Sequence, residues 1–208
     1  MLRGLLGLIV LTAAPLPCLA SELGPVVGTH SLFFYPIYWM TDEEAMTQNS
    51  DILGVQAEHE FRSVAASLRL GLVGCYEQSV WMGQRPTNEY RGRAVGGDLR
   101  GAVAYRQPLL PERLYAQAGV ALNLDYFGIW SFSDLAFTNL AFGQAVTAGF
   151  RWRPAGKVSI GLDLDLNLAR EGSAINHYDE TTVVYSVYRV GTVSPSVVLS
   201  ALFPLGRN

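Results

Sequence analysis

Cysteine is nearly absent: Cys18 and Cys75 are the only two in 208 residues. That excludes a disulfide framework and leaves no zinc-ligand spacing. Charge is scarce as well, at 16% of the chain against roughly 25% in ordinary soluble domains. Lys157 is the only lysine, and the other cations are arginines. A formal net charge of −3 leaves no basic footprint, which speaks against a nucleic-acid partner. No phosphate loop, dinucleotide fingerprint or repeat of fixed length is visible, so no cofactor and no metal are expected. After the N-terminus, no stretch approaches the ~20 apolar residues that a spanning helix needs. What remains is half hydrophobic, with 21 glycines and 11% aromatics, a composition that fits tightly packed strands.

Met1 to Ala20 reads as an export signal. Arg3 gives a positive start, Leu5 to Ala14 an apolar run, and Pro15 and Pro17 break it before Leu19-Ala20-Ser21. Ala20 is small enough to precede cleavage; Pro17 directly before Cys18 speaks against a lipoprotein site. After cleavage only Cys75 would remain, with no histidine or cation beside it to activate the thiol, so it reads as a packed side chain. The expected organisation is a signal peptide over 1–20 and one domain over 21–208.

The clearest pattern lies in Val158 to Ala169, V-S-I-G-L-D-L-D-L-N-L-A. Val158, Ile160, Leu162, Leu164, Leu166 and Leu168 share one strand face; Ser159, Gly161, Asp163, Asp165 and Asn167 share the other. Either the leucines face a soluble core, or they face lipid while the aspartates face the interior of a barrel.

The same period recurs along the chain. Leu53, Val55, Ala57, His59 and Phe61 alternate with Gly54, Gln56, Glu58 and Glu60, and Leu68, Leu70 and Leu72 with Arg69 and Gly71. Leu99, Val103 and Tyr105 oppose Asp98, Arg100 and Arg106; Val120, Leu122, Leu124 and Tyr126 oppose Gln117, Asn123 and Asp125. Val146, Phe150 and Trp152 oppose Thr147, Arg151 and Arg153. A first, aromatic strand is expected over Val26 to Met40 and a single last one over Thr181 to Phe203, kinked at Pro195. Between them, Thr41 to Asp51, Val80 to Val95, Phe127 to Ala141 and Arg170 to Glu180 read as long loops. Arg62-Ser63, Gln107 to Arg113 and Pro154-Ala155-Gly156 read as short connections.

About eight strands result, with long and short connections in alternation. The expected fold is all-β: a single antiparallel up-and-down transmembrane barrel with long outer loops and short periplasmic turns. Tyr76, Tyr105, Tyr126, Trp152 and Phe203 at strand ends would form interfacial girdles.

On this pattern the chain resembles a small eight-stranded outer-membrane β-barrel of the OmpA or OmpX kind. The resemblance implies insertion in a bacterial outer membrane as a monomer, with membrane lipid around it and extracellular ligands reached through the outer loops. Such barrels usually end in an aromatic residue; here Phe203 is followed by Pro204-Leu205-Gly206-Arg207-Asn208.

In that frame Glu58, Glu60, Glu77, Asp98, Asp125, Asp163 and Asp165 would meet Arg69, Arg100, Arg106, Arg151 and Arg153 inside the barrel. Eight strands leave a lumen that side chains fill, so these charges read as a paired plug rather than an open pore. Two other functions compete. A lipid-modifying barrel enzyme, acyl hydrolase or transferase, would need Ser173, His177 and Asp179 to converge; the His-x-Ser pattern of the lipid A deacylase is absent at His30, His59 and His177. A soluble periplasmic barrel binding an apolar ligand would need Leu162 and Leu164 to point inward and Asp163 and Asp165 outward.

Overall fold

The computed structural model describes residues 21–34, 44–82, 85–87, 93–111, 113–131, 134–154, 158–176, 182–186 and 194–205. It contains β1 (Glu22–Phe34), β2 (Glu44–Phe61), β3 (Val64–Met82), β4 (Arg85–Thr87), β5 (Arg93–Leu110), β6 (Leu114–Ser131), β7 (Asp134–Trp152), β8 (Ser159–Asn176), β9 (Thr182–Ser186) and β10 (Ser194–Pro204). Eight of them close a barrel in the order β1-β2-β3-β5-β6-β7-β8-β10, because β10 pairs antiparallel with both β8 and β1. β4 is an addition to β3, and β9 an addition to β8.

Closure follows from a constant stagger. Stepping from each residue to its cross-strand partner, Glu22 leads to Glu58, Ser67, Ala102, Ala121, Ala145, Asn167 and Ser194. The circuit returns to β1 beyond His30, whose partner is Ser196, so it climbs by about ten residues. With ~3.3 Å per residue along a strand and ~4.8 Å between strands, that climb tilts eight strands by about 40°.

The period-two pattern determines which side of this wall each residue occupies. Leu53 (65% exposed), Leu72 (70%) and Val120 (63%) point out, as do Ile160, Leu162, Leu164 and Leu168. Glu58, Arg69, Asp98, Arg100, Arg106, Arg151, Asp163 and Asp165 are buried inside. This overturns the soluble barrel with an apolar interior, which required the opposite polarity. One irregularity marks the leucine strand: Gln144 pairs with Ala169 and Ala145 with Asn167, leaving Leu168 as a bulged residue.

The two ends of the barrel differ. At one end only residues 62–63, 111–113 and 153–158 separate neighbouring strands, and Glu22 pairs with Pro204 so that the two ends of the barrel's wall lie there too. Arg62 holds the left-handed φ of 56° that this two-residue turn requires. The other end carries the long excursions, but strand claims much of what reads in sequence as loop. β2 starts at Glu44, β3 runs to Met82, and β8 to Asn176. The segment Phe127 to Ala141 is a hairpin closed at Ser131 and Asp134. Polar residues and short turn-formers masked the ladder there, because a ladder satisfies its backbone whatever the side chains are.

The first strand also differs from expectation, running from Glu22 through Pro25 to Phe34; residues 35–40 lie outside the described residues. The last stretch is two strands, not one. β9 and β10 lie along the same edge of β8, but between Ser186 and Ser194 the chain advances eight residues while β8 falls only four, from Glu171 to Asn167. Residues 187–193 lie outside the described residues, and Pro195 itself stays within the β10 ladder.

Closure between β1 and β10 is testable in solution. Val27 and Leu199 are direct partners that both point outward. Cysteines placed at these two positions in a Cys75→Ser chain should form a disulfide on oxidation, seen as a shift on a non-reducing gel of the heated protein. A cysteine pair at Val27 and Leu164 should not cross-link.

Candidate functional site in the barrel interior

Most of the interior is polar, because the alternation that puts leucine outside puts charged and small residues on the other face of the same strands. A buried charge is tolerated only when paired and hydrogen-bonded. The side chains solve this with arginines that each bridge two or more acceptors.

Near the tight-turn end, Arg106 Nη2 donates to Glu58 Oε1, its Nη1 to Glu60 Oε2 at 2.9 Å, and its Nε to Gln117 Oε1 at 3.1 Å. Arg151 donates through Nη1 and Nη2 to Asp163 at 3.0 and 2.8 Å, and from Nη2 to Glu58 Oε2 at 3.1 Å. Gln117 Nε2 completes the circuit to Asp163 Oδ1 at 2.5 Å. Arg153, at the mouth, reaches Glu60 at 2.6 Å and Glu22 at 3.3 Å. Glu58 therefore lies between two guanidinia contributed by strands 48 and 93 residues away.

A second layer lies towards the middle. Arg69 and Arg100 are cross-strand partners, a like-charge pair that would be unfavourable alone. Each is offset by its own carboxylate in a two-pronged contact: Arg69 by Asp98 at 2.8 and 3.2 Å, Arg100 by Asp165 at 2.6 Å through both nitrogens. Arg100 also donates to Thr147 Oγ1 at 3.0 Å, and Arg69 Nη1 stands 4.0 Å from the far oxygen of Asp165. The planar fork of arginine suits these contacts, where a lysine would supply only a point charge.

Space for five guanidinia comes from small residues on one wall. Ala102, Ala121 and Ala145 are successive cross-strand partners and form a buried cluster. Gly161 is opposite Arg151 in the ladder, and a Cβ there would collide with the Arg151 guanidinium and the Ser200 hydroxyl. Beyond the ionic layers apolar residues join the inward face alongside buried Ser50 and Asp125: Ile52 pairs with Val73, and Phe127, fully buried, meets the His30 ring edge-on at 6.2 Å. Two charged layers below and a mixed apolar and polar layer above occupy the bore.

Of the twelve charged positions expected inside, the structure joins Glu58, Glu60, Arg69, Asp98, Arg100, Arg106, Arg151, Arg153, Asp163 and Asp165 in the two layers just described. Asp125 is fully buried opposite Asp98. Glu77 pairs with Asn49 along the backbone, and its side chain lies outside the described residues. Sequence reasoning missed Glu22, because the first strand was expected to begin only at Val26, whereas it begins at Glu22. It also left out Gln117, Thr147 and the Asn123–Asn167 hydrogen bond of 2.7 Å, although all lie on the inward phase. Ser173 sits in β8 opposite Leu140 and Val184, while His177 and Asp179 lie outside the described residues.

Neither a protein-family model nor a curated protein matches the chain. Among solved structures, Neisserial surface protein A is similar at a TM-score of 0.50 and 11% identity, over 88% of this chain and 95% of that one. Ail of Yersinia pestis gives 0.39 at 13% identity over 88% and 98%. A major outer membrane protein of Thermus thermophilus gives 0.42 at 14% identity over 87% and 98%. The first of these likenesses matches the barrel fold.

The layers make the single substitution Arg100→Met severe. It should lower stability by about 3–5 kcal/mol, because Asp165 would stay buried without its main partner. Adding Asp165→Leu should recover most of the loss, as both charges then leave together. Equilibrium urea unfolding of the two variants in the same detergent or lipid checks both. Gly161→Ala should also destabilise the barrel, by displacing the Arg151 guanidinium.

Proposed function

We propose that the protein is a bacterial outer-membrane barrel, exported by the segment Met1 to Ala20, whose plugged bore anchors an interaction surface at its long-excursion end. The observation that carries this reading is the reversed polarity: large aliphatic side chains exposed all round, arginines and aspartates buried within. A continuous apolar exterior far exceeds the few hundred Å² that monomeric soluble proteins show. The outward apolar rows Leu53 to Phe61 and Ile160 to Leu168 each cover about nine residues, close to the ~9–11 that a tilted strand needs to cross a bilayer. Exposed Phe61, Tyr105, Trp152 and Phe203 cluster at the tight-turn end, and exposed Tyr126 lies toward the other, as interfacial girdles would.

Strands of 18 or 19 residues are roughly twice that crossing length. The upper halves of β2, β3, β6, β7 and β8 would therefore stand outside the membrane as an extension of the barrel wall carrying the loops. A bore crossed by two-pronged ion pairs and capped by Ile52, Val73 and Phe127 suits an anchor and not a general porin. The extracellular partner is to be sought on Val80 to Val95, Phe127 to Ala141 and Arg170 to Glu180, with the barrel itself monomeric in lipid.

Fractionation tests the reading. The chain should stay with carbonate-washed outer membranes, run as a heat-modifiable band, and give no sustained conductance steps in a planar bilayer. Recovery from the soluble periplasm would overturn it. Leu164→Arg, outward and mid-strand, should cost about 2–4 kcal/mol of stability in lipid, whereas the same change at Phe203 on the rim should cost about 0–1.

A further inference from the structure

The structure describes the side chains of seven arginines, and they divide into two kinds. Arg69, Arg100, Arg106, Arg151 and Arg153 all hold carboxylates. Arg62 and Arg113 are exposed and, among the described residues, have no carboxylate within ion-pair distance. Both belong to tight turns at the same end of the barrel, one between β2 and β3 and one between β5 and β6.

The rim that carries them is held firmly. Arg106 N donates to Ser63 O at 2.7 Å, and Arg153 N to Arg113 O at 2.7 Å, so each turn is tied to the strand beside it. Ser21 N donates to Glu58 O and Leu205 N to Ser21 O, both at 2.9 Å, which ties in the barrel's two ends as well. The Arg62 guanidinium lies 5.3 Å from the centre of the Phe61 ring, whose side chain is 64% exposed at the foot of the apolar band. Leu109, Leu110 and Trp152 border the band at the same level. A cation pinned where the apolar wall ends sits at the depth of lipid phosphates.

We infer that the tight-turn rim binds the phosphates of anionic phospholipid through Arg62 and Arg113, an inference that rests on the membrane reading above. The chain as a whole carries a formal charge of −3 and would be repelled by an anionic surface. Any preference for anionic lipid must therefore be local. The interior arginines cannot supply it, being committed to carboxylates, whereas Arg62 and Arg113 hold no carboxylate among the described residues.

The test refolds the full chain into dilauroyl phosphatidylcholine vesicles and into vesicles with one quarter dilauroyl phosphatidylglycerol. The reading is the ratio of folded to unfolded protein across an equilibrium urea series. Phosphatidylglycerol should raise that ratio by about fivefold per exposed arginine at low salt, and much less at 0.3 M salt. The Arg62→Gln/Arg113→Gln variant should fold as well as the parent in phosphatidylcholine and lose the gain from phosphatidylglycerol. Arg62→Lys/Arg113→Lys should keep most of it. An equal gain in the glutamine variant, or no gain in the parent, would overturn the inference while leaving the membrane reading standing. Failure to form a heat-modifiable band in either vesicle would overturn both.

Discussion

The fold depends on a constraint of charge pairing: in a bore this narrow Glu58, Glu60, Asp98, Asp163 and Asp165 are each held by at least one guanidinium. Removing one partner of a buried pair costs about 3–5 kcal/mol, a large share of the stability of a small protein. The arrangement spreads that risk. Glu58 is held by Arg106 and Arg151, Asp163 by Arg151 and Gln117, and Glu60 by Arg106 and Arg153. Because these partners come from β2, β5, β6, β7 and β8, the ion pairs also tie opposite walls together.

The rest of the construction serves that pairing. Alanines on β5, β6 and β7 and a glycine at 161 leave the volume that guanidinia occupy. Among the described residues, apolar side chains larger than alanine are buried inside at Ile52, Val73 and Phe127 above and at Val26, Val198 and Leu202 along the β1–β10 wall. The remaining aliphatic side chains must face outward. An inside-out protein of this kind is at home only where the outside is apolar too, and the height of the leucine band matches such a medium. The membrane reading and the plugged bore are thus two consequences of one alternation.

Much of this was legible before any coordinates. The rows at Ser159 to Leu168 and Val120 to Tyr126 placed their residues on the faces where the structure has them, because a strand admits only two phases. The ends of strands were not legible. Phe127 read as loop because its neighbours lack alternation, yet the hairpin through Ser131 and Asp134 carries it into the bore. Backbone pairing needs no particular side chain, so a ladder extends past the point where the pattern fades.

By itself, then, the sequence determined the all-β class, the count of about eight strands, the tight and open ends, and the list of charges sharing a face. Tertiary structure alone decided the polarity of the barrel and the pairing of those charges. A period of two assigns residues to faces without saying which face is inside. Only closure, set by a stagger of about ten residues, settles that question and brings Arg106 to Glu58 and Arg100 to Asp165 across 48 and 65 residues of chain.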